Sequence, residues 1–510
     1  MAEPIVKSHQ LALGLEELMF IVGIEPKAPG IHIFSQTHMP RLGLPQLMTI
    51  AKNLGHECLI YCEEIAPLEW EQVKKADMIL ISSTTSTVPR AYSIIEKIKN
   101  QCDSKAPILM GGPHVTFLPE EALCKGVDYV FRHEADESFP SFLEWWCGKR
   151  DTSELLRIPG LSVKIGDHFH HGPQPKRVNL DTLPTPDLGL IHGYKNPFTI
   201  PIITSRGCPF DCDFCSEVAM FGHAYRFRSE EKILEDIKFY DTHFGHKEIF
   251  FADDNLGANR PRLERLCHGI INNGLTRPIS GQIRLDLAKY PDTLKLMTKA
   301  GFGRAYIGYE STNPETLEKV GKELSADEMG RFTKIIQRMG IEIHAMWVLG
   351  FDTDTIDTVK QNLKAAFKWR LETCQFLILV PLPGSSLFNT MKENKRIFNP
   401  DWTKYDGHHV TFYPARMTPK QLQVSVMLDA MPKLYNLWQT MRIFIADNYR
   451  TAKGSFRLRN WHPIRRTKNS ILTLFVRIWG HYTTRKMKRP IKKYIKQMPA
   501  MTAEPGHKRS

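Results

Sequence analysis

Three of the chain's ten cysteines, Cys208, Cys212 and Cys215, fall within eight positions, in the run SRGCPFDCDFCSEVAMFG. Their spacing is C-x3-C-x2-C. Gly207 and Pro209 flank the first and disfavour a regular helix, so the thiols belong to a loop that wraps something. Structural zinc takes four closed ligands, and the nearest spare one, His223, has no partner at ligand spacing. A redox pair uses two cysteines and leaves Cys208 without a role. Three thiolates on a four-iron cluster leave one iron open for a substrate or cosubstrate. Coincidental core cysteines fit poorly with flanks that are polar and contain glycine.

The elements that must position these thiols are legible around them. They follow directly on the apolar run FTIPIIT, and HKEIFFADDN, ISGQIRLDL, RAYIGYES, IEIHAMWVLGFD and CQFLILVPLPG come after, with helical segments between. Six such units over residues 196–400 predict a partial (β/α)6 TIM-type barrel, with its chemistry at the strand C-termini. Residues 1–150 alternate LMFIVGI, ECLIYCE, ADMILISSTT, APILMGG and VDYVFRH with helical stretches. That pattern predicts an α/β, doubly wound, Rossmann-like domain with ligands beyond the strand ends, at Ser82 to Thr87 and Gly111 to Val115. The polar, Pro/Gly-rich stretch 151–195 reads as a linker with a few short strands. Residues 401–510 read as a helical region with a basic tail.

At 510 residues the sequence exceeds one ordinary core, and 42% hydrophobic with 24% charged residues suits a soluble globular protein. Mostly scattered cysteines form no disulfide framework. The N-terminus has no signal-peptide layout, since Glu16 and Glu17 break its first apolar run. A reducing cytoplasm is the expected compartment. No stretch approaches the roughly 18 apolar residues of a spanning helix. The net charge of +13 is uneven: residues 451–510 hold sixteen Lys or Arg against one acid, Glu504, which is +15 and leaves −2 for the rest. Within that tail ILTLFVRIW is flanked by basic clusters, a pattern of an interfacial helix on an anionic membrane. Lysine and arginine density alone also binds phosphates, but no nucleic-acid module surrounds these charges. A solvated tail fits only the last fifteen residues.

The cysteine spacing, its place after the first barrel strand and Phe214 just before the last cysteine resemble the radical S-adenosylmethionine (SAM) superfamily. The resemblance implies a [4Fe-4S] cluster on the three cysteines as the catalytic and metal-binding centre. Its open iron would chelate SAM, whose sulfonium is cleaved to a 5′-deoxyadenosyl radical by an electron from an external flavodoxin- or ferredoxin-like donor. It further implies SAM contacts at Phe214, Asp253, Asp254, Asn255, Gln282, Arg284, Glu310 and Pro381. Read without the resemblance, Asp253 is a helix cap, Arg284 a surface ion pair and Pro383-Gly384 a turn.

A doubly wound domain before such a barrel is similar to the cobalamin-binding class. The features that carry it are MPRLGLPQL, SSTTSTVPRAY and GGPHVTFLPEEAL; the similarity spans about residues 15–420, and YRFRS, FFADDN and DWTKYDGHHVTFYP resemble the branch of hopanoid methylases and the bacteriochlorophyll cyclase. It implies cobalamin near Leu42, Gly43, Ser82, Ser83, Thr84, Thr85, Ser86, Gly111, Gly112 and His114. The D-x-H-x-x-G motif that brings a histidine to cobalt elsewhere is absent, so a lower face without histidine is expected. The resemblance implies methylation of an unactivated carbon of a lipid or other hydrophobic substrate, from a peripheral position at the inner membrane face. The alternatives are a radical cyclisation or oxidation of a tetrapyrrole or lipid, and modification of a nucleic acid through the tail. A tRNA methylthiotransferase would need three more cluster cysteines in the first domain, where Cys58, Cys62, Cys102, Cys124 and Cys147 are scattered.

Overall fold

Two sheets, of seven and six strands, organise the protein. The structure, a computed structural model, describes residues 18–30, 39–102, 104–148, 151–322, 324–445 and 463–499, the last from 471 onward for side chains. The first sheet holds β1 (Phe20–Glu25), β2 (Glu57–Cys62), β3 (Met78–Ser82), β4 (Ile108–Gly111), β5 (Tyr129–Phe131), β6 (Leu161–Ile165) and β7 (His168–His171), in the order β2-β1-β3-β4-β5-β6-β7. The strands β1 to β5 pair in parallel. Both faces of such a sheet are covered, which is why Ile21, Val22 and Ile24, or Ile79, Leu80 and Ile81, are all buried. Helix α1 (Gly43–Asn53) links β1 to β2 and α2 (Val88–Gln101) links β3 to β4. In α2, Val88, Ala91, Ile94, Ile95 and Ile98 bury one helical face. The backbone leaves β1 for β2 on one side and returns to β3 on the other, so the ends of β1 and β3 flank a switch point, where open α/β sheets leave a crevice.

The stretch 151–195, read as a linker with a few short strands, holds two such strands, and they join this sheet. Strand β6 pairs antiparallel with β5 and buries Leu161, Ser162 and Val163, and β7 pairs antiparallel with β6. Only the run after β7 crosses to the second sheet.

That sheet is formed by β8 (Thr199–Ile202), β11 (Glu248–Phe251), β12 (Ile279–Gln282), β13 (Phe302–Glu310), β14 (Glu342–Leu349) and β15 (Thr373–Ile378), all parallel and adjacent in this order. A small antiparallel hairpin, β9 (Ser205–Arg206) with β10 (Arg226–Phe227), rises from the end of β8, and α3 (Glu217–Phe221) lies between its arms. Alternation sorts the barrel's side chains. Tyr309 and Trp347 stack at 5.1 Å and pack on Trp369, which ends a covering helix. The opposite parity, Phe250, Tyr306, Met346 and Leu377, is half-buried and faces the lumen.

Two further helices follow the barrel. Residues 437–445 form α4, and α5 (Pro463–Gln497) runs along the edge strand β15. Thr473 joins the Arg304–Glu342 pair at the start of β13 and β14, Arg477 donates to Glu372 O at 3.0 Å, and the Tyr494 hydroxyl donates to Val410 O at 2.7 Å. The helix thereby covers an edge that would otherwise expose unpaired backbone groups.

Candidate functional site

The cysteine loop hangs in the β9–β10 hairpin. Gly207 sits at φ +91° and a Cβ there would come 2.5 Å from Ala224 O, so only glycine fits. Cys208 N donates to Gly222 O at 3.3 Å and Cys215 N to Cys212 O at 3.0 Å. From the far end of the barrel, Leu387 N and Ser386 Oγ donate to Asp213 O at 2.9 and 3.1 Å, which ties the loop to the segment after β15. Phe214 packs edge-on to Phe351 at 5.6 Å.

Burial raises all three thiols. Cys208 and Cys212 are half-buried, and Cys215, the most exposed as a residue, has its sulfur crowded by protein and pushed up to about 12. Arg284 pulls back on Cys208 and Cys212, and Lys322 on Cys212. Soft sulfur donors that stay protonated without a metal and ionise beside one are the donor set an iron–sulfur cluster uses, so these residues fit it.

The neighbouring strand ends divide the predicted SAM contacts. Asp253 is buried and fully engaged: it accepts from Thr204 N at 2.9 Å, Thr204 Oγ1 at 2.8 Å and Ser205 Oγ at 2.5 Å. It therefore latches β8 to β11; the expected SAM contact is corrected, and so is the helix cap. Its neighbour Asp254 points instead to Glu217, with which it shares a hydrogen bond; burial and the charge of Asp254 push Glu217 well up. Asn255 is buried, and its Oδ1 has no protein partner. Gln282 ends β12 half-buried. Arg284 stacks 4.0 Å over Phe210 of the cysteine loop, and its Nε is 3.6 Å from Asp286. Glu310, at φ +55° on a bulge of β13, pairs with Lys322 at 2.8 Å beside Cys212. Pro381 is buried in the loop after β15. Sequence reasoning misses Glu217, although an acid two positions past the last cysteine is a signal in plain sight.

Between the two sheets lies a cavity of about 250 Å³. One wall carries the switch-point end of the first sheet, with Leu42, Gly43, Ser82, Gly111 and Gly112; the other carries Ile202, Arg206, Met220 and Phe221. A Cβ on Gly43 would meet nothing within 4 Å, while Gly112, at φ +109°, would drive one to 2.3 Å from Ser83 O. Inside are Leu80, Leu109, Phe131 and Phe139. A glycine rim over an apolar interior fits part of a large flat cofactor such as cobalamin.

Five of the predicted cobalamin contacts are elsewhere. Ser83 is buried, and Thr84, Thr85 and Ser86 enter the first turn of α2, where Thr84 N donates to Thr87 Oγ1 at 2.9 Å and Val88 N to Thr84 O at 3.0 Å. His114 is buried against Trp402 at 4.9 Å, with Glu121 3.4 Å from its Nε2. The histidine that does line the cavity is His133, whose Nδ1 donates to Met220 O at 3.2 Å and whose Nε2 accepts from Gln174 at 3.2 Å. Both ring nitrogens are engaged. The domains are clamped beside it: Arg206 and Arg226 share Glu134, and Arg206 also grips Asp136 at 2.6 Å. Burial opposes the Arg206 charge, but Asp136 and Glu134 overcome it and hold the guanidinium above its ordinary value.

Comparison with known proteins divides the sequence at the same place. Residues 202–366 match the model of the radical SAM superfamily, and residues 34–143 match the B12 binding domain. An uncharacterised methyltransferase of Pyrococcus horikoshii is 29% identical over 77% of this chain and 87% of its own. A bacteriochlorophyllide d C-12(1)-methyltransferase of Chlorobaculum tepidum is 26% identical over 68% of this chain and 72% of its own. The fold is similar to that of OxsB, a cobalamin-dependent SAM radical enzyme solved with aqua-cobalamin and SAM, at a TM-score of 0.65 and 15% identity over 97% of this chain and 83% of that one.

Proposed function

We propose that this chain, whose residues 202–366 match the radical SAM superfamily and 34–143 the B12 binding domain, methylates an unactivated carbon of a hydrophobic substrate, a lipid or a tetrapyrrole. It is an enzyme whose cofactors are a [4Fe-4S] cluster, SAM and cobalamin. One observation supports the reading above the rest: the cavity under the glycine rim of the B12-binding domain is closed by Met220 and Phe221, only a few residues past Cys215. Together the bound groups supply hydrogen abstraction, from cluster and SAM, and a methyl carrier, from cobalamin.

The protein's own residues would do the following. Cys208, Cys212 and Cys215 hold the cluster, and Phe214 packs against Phe351 behind them. Arg284, already fixed over Phe210, offers its guanidinium to the SAM carboxylate, and Asn255 Oδ1 and Asp254 offer acceptors to its amino group. Gln282, Glu310 and Pro381 border the remaining part of that site. Leu42, Gly43, Ser82, Gly111 and Gly112 border cobalamin. The lumen residues Phe250, Tyr306, Met346 and Leu377 exclude water and favour an apolar substrate; a tetrapyrrole named for one relative is of this kind.

An electron donor of the flavodoxin or ferredoxin type completes the system. We place the protein in the cytoplasm, peripheral at the inner face of the membrane; no helix among the described residues is long and apolar enough to cross one. Reconstituted anaerobically and given a lipid or tetrapyrrole extract, the protein is expected to form 5′-deoxyadenosine and S-adenosylhomocysteine in equal amounts. Deoxyadenosine alone would instead indicate cyclisation or oxidation.

A further inference from the structure

Eight of the twelve large apolar side chains that stand exposed among the described residues lie between Leu437 and Tyr482. Such clustering is unusual, since single exposed apolar residues are ordinarily scattered. On α4, Thr440 and Ile443 turn inward, while Leu437, Trp438, Met441 and Ile445 are 56, 74, 48 and 62% exposed. On α5 the buried positions Thr473, Arg477, Met487, Ile491 and Tyr494 fasten the helix to the barrel. The opposite face shows Ile471, Phe475, Ile478 and Tyr482, at intervals of four, three and four, which is one line along a helix. The same line continues as Arg485, Arg489, Lys493 and Lys496, all exposed.

The run ILTLFVRIW is therefore not an amphipathic helix lying whole on a surface. Its Arg477 is buried in the protein, and its Phe475 and Ile478 point away. What remains outward is a strip whose first half is aliphatic and aromatic and whose second half is cationic. Tyr435, just before α4, packs so closely on Gly480 that a Cβ there would come 2.5 Å from its ring, so α4 starts against the middle of α5.

We propose that the outward faces of α4 and α5 form one docking surface for a bilayer containing anionic lipid. The apolar halves enter the headgroup boundary and the basic half meets the phosphates. A second copy of the protein fits badly, because a parallel pair sets two rows of arginine and lysine against each other and a full antiparallel pair lays each basic row on the other's apolar row. Nucleic acid would use the cations and leave Phe475, Ile478 and Trp438 exposed. The inference rests on the hydrophobic-substrate reading for its purpose and on the exposed strip for its place.

Flotation of the cluster-loaded full-length protein tests it, with vesicles of pure phosphatidylcholine and of phosphatidylcholine mixed with phosphatidylglycerol. The wild type is expected to float with the mixed vesicles and hardly with the pure ones. Trp438→Asp with Phe475→Asp lowers the floating fraction about tenfold, and Arg485→Glu with Arg489→Glu removes the preference for phosphatidylglycerol. Cluster absorbance and thermal melting report whether each variant is folded. A folded aspartate variant that floats like the wild type overturns the proposal, as does a wild type that binds neither vesicle. So does a wild-type dimer, seen by light scattering, that the aspartate variant splits. Equal formation of the two SAM products is scored separately, so loss of docking leaves the methylation reading intact, and loss of methylation leaves the docking result intact.

Discussion

The strand ends of the two sheets serve their ligands by different means. At the barrel, side chains dominate: Arg284 stacks on Phe210 of the loop that holds the three cysteines, and Asp254 and Asn255 follow the neighbouring strand. At the first sheet, an apolar interior of Leu80, Leu109, Phe131 and Phe139 lies under a rim that includes Gly43, Gly111 and Gly112. The polar run Ser83 to Ser86 looks richer in chemistry than those glycines, yet none of it lines the cavity: Ser83 N donates to Gly111 O, and Thr84, just ahead of α2, bonds to Thr87 and Val88. A large flat cofactor needs room and close approach, whereas a metal and a charged cosubstrate need specific donors.

The largest effect that separates the two ends is expected at the thiols. Cys208→Ala removes a cluster ligand, so iron–sulfur absorbance and 5′-deoxyadenosine formation are both lost while cobalamin is retained; continued cleavage of SAM would break the assignment. The mirror experiment is Gly43→Phe, whose ring fills the open rim. Cobalamin retention through gel filtration should fall sharply, because a filled rim excludes a large flat ligand from a largely preformed pocket, and the cluster spectrum should persist. Loss of both groups together would mean that the two ends are not separable.

A third test stays within the barrel and compares neighbours. Asp253→Ala strands buried donors on Thr204 and Ser205, at a cost of about 1–3 kcal/mol for each unsatisfied group, and is read as a lower melting temperature. Asp254→Ala should leave melting nearly unchanged and raise the KM for SAM. Equal melting temperatures would show that Asp253 is no latch. The last test concerns acid. Burial, aided by Arg304, lowers His344 from 6.5 to about 3. The folded state therefore binds this proton far more weakly than the unfolded state does. Its contribution to stability is full above about pH 6.5 and falls as the pH drops toward 3. His344→Gln should flatten that acid limb in melting curves, and an unchanged slope would assign the acid sensitivity elsewhere.

Much of the architecture is legible in the sequence because covered parallel strands must be apolar on both faces, as in Ile79 to Ile81, and because α2 repeats its buried residues at helical spacing. The cysteine loop is legible because thiol spacing is a local property. Asp253 and Asp254 are identical in type and adjacent; only the fold decides which meets Thr204 and which meets Glu217. The clamp of Arg206 on Glu134 and Asp136 joins residues some seventy positions apart, and no local pattern announces it. Short strands in 151–195 are legible, but that Leu161 to Ile165 pairs antiparallel on the edge of β5 is not, because the pairing depends on the sheet beside it. The tail's apolar run is visible, but which half faces outward depends on the barrel edge beneath it.

The central claim is that one polypeptide holds a cluster on Cys208, Cys212 and Cys215 and cobalamin across the cavity beside them. The most direct measurement is an absorption spectrum of the anaerobically reconstituted protein after incubation with cobalamin and gel filtration. Iron–sulfur and cobalamin absorbance are expected to elute together with the protein, with Gly43→Phe losing the cobalamin alone. A cluster-loaded wild type from which cobalamin washes away completely would contradict that claim.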